Sequence, residues 1–332
     1  GARTVISELA GQQVADLLLI NDHDLTYGKI RFDERSINTL KAHLGDITDS
    51  LTRALCWSAA WDMHRDGELS ATDYTEIVLN ALGKESEASV ISAQLVNLET
   101  AVEIYSAPKN REKLRAQRSS GLYQLATSAK PGSDEQLALV KGFAAGATKS
   151  DAPKIKEILE GKLSGVTVDA EMRWSLIKAL TEHGVFGQNE IDAELKRDNT
   201  ADGLRHGAEA RAMIATAENK AEIWRELTTT NLSNHIQRHI LIGANRPSQQ
   251  GLWAPFVDKY FAEVRRMWDE NSYETGLQFA NLAFPRFAAT AENLAKAEKW
   301  ITDNADASDG VKRAVKEGRD AMKRALKAQA AD

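Results

Sequence analysis

Two histidines one helical turn apart form the pattern in this chain that comes nearest to a metal site. His235 and His239 stand four residues apart, the spacing at which two imidazoles on a helix bind one zinc ion. A zinc hydrolase also needs a general base, and its H-E-x-x-H pattern places glutamate where this chain has Ile236. The sequence indicates no third ligand. We therefore predict two surface or capping histidines and assign no metal-binding residue.

A second candidate joins two carboxylates and an imidazole in the run Asp62-Met63-His64-Arg65-Asp66. Asp62 and Asp66 share one face of a helix, whereas His64 points to another, so the three do not converge on one ion. We predict a structural role near a helix end. The single cysteine, Cys56, lies in the most apolar segment and is predicted to be a buried small side chain rather than a nucleophile. Phosphate-binding loops, the G-x-S-x-G turn and paired C-x-x-C motifs are absent from the sequence, and no catalytic or cofactor-binding residue is assigned.

Helices must position whatever chemistry the chain has, because helical periodicity runs from Ser36 to the end. The stretch Leu51 to Leu82 is the most telling unit. It has an all-round apolar helix with Trp57 and Trp61, an acidic turn, and a second helix with Ser70 and Asp73 at its start. Because such a helix must be covered on several faces, the unit predicts a stacked helical array. Further starts are predicted at Ser133, Asp151 and Asp169, and further stops at Gly83, Gly161, Gly184 and Gly243.

Residues 1–35 have a different pattern. Short β-branched or aliphatic runs, at Thr4 to Ile6, Val14 to Ile20 and Gly28 to Phe32, are separated by turn-forming residues and predict two or three strands. So few strands cannot be stable alone, so they pack on the helices or belong to a preceding β domain. We therefore divide the chain into a short β segment, 1–35, and a helical domain, 36–332. Because the chain opens without methionine, we expect it to be a piece of a longer polypeptide.

Composition excludes two classes of partner. The chain carries 48 acidic and 42 basic residues, a formal charge of −6, which offers no broad basic surface for nucleic acid or anionic lipid. Its longest apolar run near the start is far shorter than the ~20 residues that span a bilayer. We predict no nucleic-acid partner and no membrane segment, and one unpaired cysteine agrees with a cytoplasmic location.

The last helix offers a competing hypothesis of binding to an anionic surface, because one of its faces is basic. Glu317 and Asp320 interrupt that face, and the neighbouring side carries mostly small apolar residues. We predict a solvated outer face beside a packed seam. The basic residues are Lys312, Lys316, Arg319, Lys323 and Lys327, and the seam residues are Val311, Val315, Gly318, Met322 and Ala325.

Five segments in order carry a resemblance to a known family. The run R-A-L-C-W-S-A-A-W-D-M-x-R-D-G-E-L-S-A-x-D-Y, from Arg53 to Tyr74, resembles the helical C-terminal domain of the aminopeptidase N family of zinc exopeptidases. The resemblance covers nearly the whole chain. The other four segments are Leu17 to Ser36, Glu171 to Gly184, Ala215 to Trp224 and Tyr260 to Trp268.

The resemblance implies an all-α fold, a HEAT- or armadillo-like superhelix of antiparallel helix pairs, preceded in the family by a β-sandwich. It implies a domain that covers the zinc site of the full-length enzyme and controls the access of peptide substrates. The family's own motifs, H-E-x-x-H with a downstream glutamate and G-x-M-E-N, are absent here, so no catalytic residue is carried over. Zinc, peptide hydrolysis and the catalytic and β domains are expected upstream, and the chain alone is predicted to be inactive.

Two points stay open at this stage. Arg265, Arg266 and Arg286 could face a substrate chamber or the outer surface, and the sequence does not identify the residues that line the chamber. The alternative function is a free-standing HEAT-like scaffold whose concave surface binds a protein partner. The gene sequence upstream of Gly1 discriminates between the two, because only the enzyme has H-E-x-x-H there.

Overall fold

Helices joined by short turns make up the chain from residue 34 onward in the computed structural model, which describes residues 4–332. No strand occurs within these residues, and the fold is all-α as predicted. The α-helices are α1 (Glu34–His43), α2 (Ser50–Arg65), α3 (Ala71–Ala81), α4 (Ala88–Thr100), α5 (Pro108–Ser128), α6 (Asp134–Ala145), α7 (Ala152–Leu159), α8 (Ala170–Glu182), α9 (Gln188–Arg197), α10 (Ala201–Met213), α11 (Ala217–Thr229), α12 (Asn234–Ala244), α13 (Gln250–Trp253), α14 (Val257–Asp269), α15 (Tyr273–Leu282), α16 (Ala291–Asp303) and α17 (Asp309–Ala330).

Single turns of other helix types lie between these elements. A π-helical turn, Ala101–Tyr105, directly continues α4. The 3₁₀ turns are Ser7–Leu9, Asp22–Asp24, Leu44–Asp46, Leu82–Lys84, Lys149–Asp151, Pro247–Gln249 and Ala254–Phe256.

Side-chain caps start several helices where the sequence predicts them. The side chains of Ser70, Ser133 and Asp169 accept hydrogen bonds from the first-turn amides of α3, α6 and α8. Such caps satisfy amides that have no partner inside the helix. The second half of the predicted Ser70 capping box does not form, because Asp73 forms an ion pair with Lys41 instead.

One predicted stop is wrong. Gly243 lies inside α12 and not after it. A β-carbon built there would stand 2.2 Å from the carbonyl oxygen of Glu209, so glycine is needed for the close approach of α12 to α10. Gly161 and Gly184 do follow the ends of α7 and α8, with φ of +77° and +69°. Those positive φ values favour glycine at a helix C-terminus.

The helices form two layers. The inner layer consists of α4, α6, α8, α10, α12, α15 and α17, and each of these helices packs against the next one in this series. The outer layer consists of α5, α7, α9, α11, α14 and α16, each packed on its own inner partner, whereas neighbouring outer helices make few contacts with one another. An array of helix pairs is curved when neighbouring helices pack closely in one layer and loosely in the other, and the closely packed layer lies on the concave side.

The curvature brings the end of the chain back to its first helices. α17 packs on α2 and on the π turn, and Gln329 Nε2 donates to the carbonyl oxygen of Ile104 at 2.7 Å. The Asp332 carboxylate accepts from the backbone amides of Thr72 and Ala107, both at 2.9 Å, which lie at the starts of α3 and α5. The array therefore closes into a ring.

Residues 4–33 do not form the predicted strands. The segment runs irregularly over α1 and α2. Its backbone bonds are local turn bonds and bonds to side chains: the Leu18 amide donates to Ser36 Oγ at 3.0 Å, and Thr39 Oγ1 donates to the Asp16 carbonyl at 2.6 Å. A strand needs a neighbouring strand to pair its amides and carbonyls, and none is present within residues 4–332. Gly1 to Arg3, the first residues of the predicted β segment, lie outside the described residues. The division between 1–35 and 36–332 stays a prediction.

Candidate functional site

A polar cavity of about 250 Å³ lies at the end of the ring where the inner helices terminate. Its walls come from the end of α4 and the π turn, from α5, from the ends of α6 and α8, and from the loop after α12. Acidic and basic side chains alternate around it. The lining includes Glu99, Glu103, Glu112 and Glu182, then Arg115, Arg118, Lys149 and Arg246, and also His183 and Ser248.

Glu103 forms the centre of one charge cluster in this cavity. Arg115 Nη2 lies 2.6 Å from one of its carboxylate oxygens, and Arg118 Nη2 lies 2.9 Å from the other. Burial alone would raise the pKa of Glu103, but the two guanidinium groups outweigh it and hold the pKa below its usual value. Glu103 is therefore a charged acceptor on the wall, not a proton donor at neutral pH.

Glu182 forms the second cluster. It accepts from Arg246 Nε at 2.9 Å and from Ser248 Oγ at 2.5 Å. Burial opposes the charge of Arg246, but the Glu182 carboxylate more than compensates and raises the pKa of the guanidinium. These bonds hold the loop after α12 against the end of α8. Arg115 Nη2 also reaches the Pro247 carbonyl at 3.3 Å, so this loop connects the two charge clusters.

Donor side chains meet the last carbonyls of the inner helices at this end of the ring. The carbonyl ends of helices carry a partial negative charge, so cations and other donors stabilise them. Arg118 Nη2 donates to the Gly146 carbonyl after α6 at 3.0 Å. Lys220 Nζ donates to the Ala212 carbonyl of α10 at 2.6 Å and to the Ala244 carbonyl of α12 at 3.1 Å. The inner helices are thus held together at their ends by buried polar side chains.

The charged side chains of this cavity are largely held by one another. Glu103 and Glu182 each stand against guanidinium groups, Ser248 Oγ donates to Glu182, and His183 Nε2 lies 2.8 Å from the Ala147 carbonyl oxygen. A chamber with both signs of charge can contact the amides and charged side chains of a peptide.

The structure separates the two histidines of the first candidate. His235 is exposed, whereas His239 Nδ1 lies 2.7 Å from Glu209 Oε2. Burial opposes the charge of Glu209, but the bond with His239 and the charge of Lys178 lower its pKa to about 2. His239 thus bonds to the buried Glu209 and connects α12 to α10. Within residues 4–332 no three His, Cys, Asp or Glu side chains are placed to hold a metal ion.

The second candidate is also divided. Asp66 pairs with Lys29 and Arg31, each at 2.6 Å, and so fixes the N-terminal segment to the end of α2. His64 is fully buried, with its ring 5.0 Å from that of Tyr74, and its Nδ1 lies 2.9 Å from the Leu69 carbonyl. Burial lowers the pKa of His64 to about 4, so the imidazole is neutral at neutral pH. Both residues thus make contacts near the C-terminal end of α2, and a purely structural role for them stays a prediction.

The remaining candidates have packing or surface roles. Cys56 is buried, and burial raises the pKa of its thiol to about 12, so it is not a thiolate at neutral pH. Trp57 donates to Glu85 at 3.2 Å, whereas Trp61 packs against Tyr105 with ring centroids 6.0 Å apart. The seam predicted on α17 is confirmed. Val311, Val315, Met322 and Ala325 are buried, and a β-carbon at Gly318 would stand 2.7 Å from the Phe284 ring.

None of the three candidate arginines is among the residues that line the cavity. Arg265 pairs with Asp306 at 2.8 Å, and Arg266 pairs with Glu263 at 2.6 Å, which places both in surface ion pairs. Arg286 stands over the Phe287 ring at 4.5 Å. Arg286 is exposed, in the turn after α15.

Sequence reasoning missed the cavity residues themselves, among them Arg115, Arg118 and Arg246. Of these three, only Arg246 lies in a segment with a signal, the long polar connection from Asn245 to Gly251, which the sequence marks as a loop.

Comparisons with known proteins agree with this architecture. The family model described as the ERAP1-like C-terminal domain matches residues 17–324. An aminopeptidase N from Streptomyces lividans is 38% identical over 336 aligned residues, which include 100% of this chain and 39% of the relative. The chain therefore spans well under half the length of that relative. No helix within residues 4–332 is long and apolar enough to cross a membrane.

Proposed function

Because this chain belongs to the ERAP1-like C-terminal domain family, we propose that it is the C-terminal domain of a zinc aminopeptidase that removes amino-terminal residues from peptides. The identity with an aminopeptidase N over the whole chain is the observation that carries this proposal. In this proposal the domain covers the active site and controls which peptides reach it. Its own residues take no part in bond cleavage.

The N-terminal segment supports attachment to a further domain. Leu25 is 84% exposed and Tyr27 is 109% exposed, and other apolar side chains of residues 4–20 are exposed as well. Contiguous exposed apolar surface of this kind marks a contact with another protein surface. We propose that the upstream part of the same polypeptide covers it.

The ring supports a role in access. Its helices pack closely, and the polar cavity at the end of the ring contains Glu103 and Glu182, each bonded to arginine. Such a wall can exclude bulk solvent and contact a peptide without supplying a nucleophile. A peptide that enters this cavity would meet Glu99 and Lys149.

Zinc, in this proposal, is bound by the upstream domains. His235 and His239 do not fit a zinc site, because one is exposed and the other is engaged by Glu209. When bound upstream, zinc would supply an activated water for attack on the first peptide bond. We also propose a cytoplasmic location, with which the buried, unpaired Cys56 agrees.

The test compares three purified proteins. The first is this chain, the second is the longer polypeptide that includes its upstream sequence, and the third is that longer polypeptide ending at residue 35, without the helical domain. We expect no aminoacyl hydrolysis by the chain alone, zinc-dependent hydrolysis by the longer protein, and altered selection of peptide length after truncation. Hydrolysis by the chain alone, after removal of contaminating peptidases, would contradict the proposal. An upstream sequence without H-E-x-x-H would instead favour the scaffold.

A further inference from the structure

The contact that closes the ring, between α17 and the first helices, has little apolar surface to hold it. Its buried side chains on α17 are the small Ala325 and Ala328, which pack on Tyr105. The ion pairs of α17 join residues of that helix to one another or to Glu298 of α16, so within residues 4–332 none crosses to the first helices. Because small side chains bury little apolar area, this contact must depend on its hydrogen bonds.

The Asp332 carboxylate provides most of those bonds. Its Oδ1 accepts from the Thr72 amide at 2.9 Å and from Thr72 Oγ1 at 3.0 Å. Its Oδ2 accepts from the Ala107 amide at 2.9 Å and from Asn110 Nδ2 at 3.1 Å. Burial opposes the charge of Asp332, but these bonds outweigh it and hold the pKa of the carboxyl below its usual value. One charged group thus fastens α17 to the starts of α3 and α5, where helix amides lack partners of their own.

The π turn connects this closing contact to the polar cavity. Glu103 of the turn lies in the cavity wall, bonded to Arg115 and Arg118. The next residue, Ile104, accepts from Gln329 of α17 at 2.7 Å, and Tyr105 packs on the small residues of α17. A π turn inside a helix is rare and is frequent at functional sites. Because consecutive residues of one turn face the cavity and α17, the turn cannot move at one of these surfaces without moving at the other.

We propose that α17 is a latch fastened by Asp332, and that the π turn couples this latch to the polar cavity. Release of Asp332 from α3 and α5 lets the π turn shift, and Glu103 then moves away from Arg115 and Arg118. The proposal concerns the conformation of the chain and goes beyond the proposed function. Its consequence for peptides, that the latch sets the position of the charges they meet in the cavity, rests on the proposed function.

The test of the latch is amide hydrogen exchange, followed by NMR on the isotope-labelled chain. Asp332→Asn keeps the size of the side chain but turns an NH₂ donor toward the amides that it must accept from. We expect the Thr72 and Ala107 amides to exchange at least about tenfold faster, because hydrogen bonds to a charged acceptor are among the stronger ones. The amide of Leu241, buried in α12, is the reference for global opening and should exchange at an unchanged rate.

Asp320→Asn is the matched control. Asp320 also lies on α17, but its exposed side chain pairs with Arg319 of the same helix and makes no bond to the first helices. We expect this variant to leave the exchange of the Thr72 and Ala107 amides unchanged.

The test of the coupling reads the cavity while the latch is changed. Arg115 Nε bonds to Glu103 at 2.9 Å, so its N–H signal should shift in Asp332→Asn and stay in place in Asp320→Asn. Coupling between two sites is reciprocal. Glu103→Gln should therefore make the Thr72 and Ala107 amides exchange at least about fivefold faster relative to Leu241.

Unchanged exchange of the Thr72 and Ala107 amides in Asp332→Asn would overturn the latch. Faster exchange there with an unmoved Arg115 signal would overturn the coupling, and equal acceleration at Leu241 would show a global loss of stability instead. Asp332→Asn decides both points even where Glu103→Gln does not fold, since Asp332 lies outside the apolar core. None of these measurements involves hydrolysis, so the proposed function would stand or fall separately.

Discussion

Lys220 provides the sharpest test of the network at the helix ends. Its side chain is fully buried, and its ammonium group holds the last carbonyls of α10 and α12. Burial lowers the pKa of Lys220 from 10.5 to about 7, and Arg246 adds to this while Glu182 opposes it. Between about pH 7 and pH 10.5, Lys220 is therefore protonated in the unfolded chain but has lost its proton in the folded chain. Stability contributed through Lys220 must rise as the pH rises through this window.

The size of the effect follows from the shift. Each unit of pKa change corresponds to about 1.4 kcal/mol. The full change in the Lys220 pKa therefore alters the free energy of unfolding by about 5 kcal/mol across this pH range. Because Lys220 is about half protonated near pH 7, the change between about pH 7 and about pH 9 is about 2 kcal/mol. We expect the difference in unfolding free energy between the native chain and Lys220→Met to change by this amount, with the native chain gaining at the higher pH.

Urea unfolding followed by circular dichroism at several pH values measures that difference. Lys113→Met is the control, since Lys113 is exposed on α5 and its replacement should give a difference that is flat with pH. A flat difference for Lys220→Met would refute the reasoning. It would mean that the partial negative charges of two helix ends compensate burial fully and keep the ammonium charged throughout.

Two further predictions concern the packing of the same ring. Gly146→Ala should destabilise the chain by about 1–3 kcal/mol in urea unfolding, because the new β-carbon would stand 2.6 Å from Arg118 Nε; Gly251→Ala, which meets open space, should be close to neutral. His64 has a pKa lowered by burial to about 4, so the native chain should lose about 2 kcal/mol between about pH 7 and about pH 5 relative to His64→Phe. Equal acid sensitivity of the two proteins would show that His64 is not the cause.

The sequence predicted local features well where a single residue and its near neighbours decide the structure. Ser70, Ser133 and Asp169 cap helices because their side-chain oxygens reach amides three residues ahead, a relation that is visible in the chain itself. The strands predicted before residue 35 failed for the opposite reason. A strand is decided by a partner, and β-branched residues alone do not provide one.

The candidate site depends on contacts of long range, so residue patterns could not predict it. Lys220 donates to the carbonyl of Ala244, 24 residues away, and Arg115 donates to the carbonyl of Pro247, 132 residues away. Backbone carbonyls are the same in every residue, so a sequence carries no mark of which ones a distant arginine or lysine will reach.

Curvature is what decides these contacts. In a solenoid, curvature is the sum of small rotations between successive units, and here the series of inner helices returns α17 to α2 and gathers the helix ends around one cavity. A change in rotation at one pair would therefore alter the distance between Arg246 and Glu182. Close contacts such as Gly243 against Glu209 and Gly146 against Arg118 fix the rotation at single pairs. The residues that shape the proposed peptide surface thus include glycines that no peptide would touch.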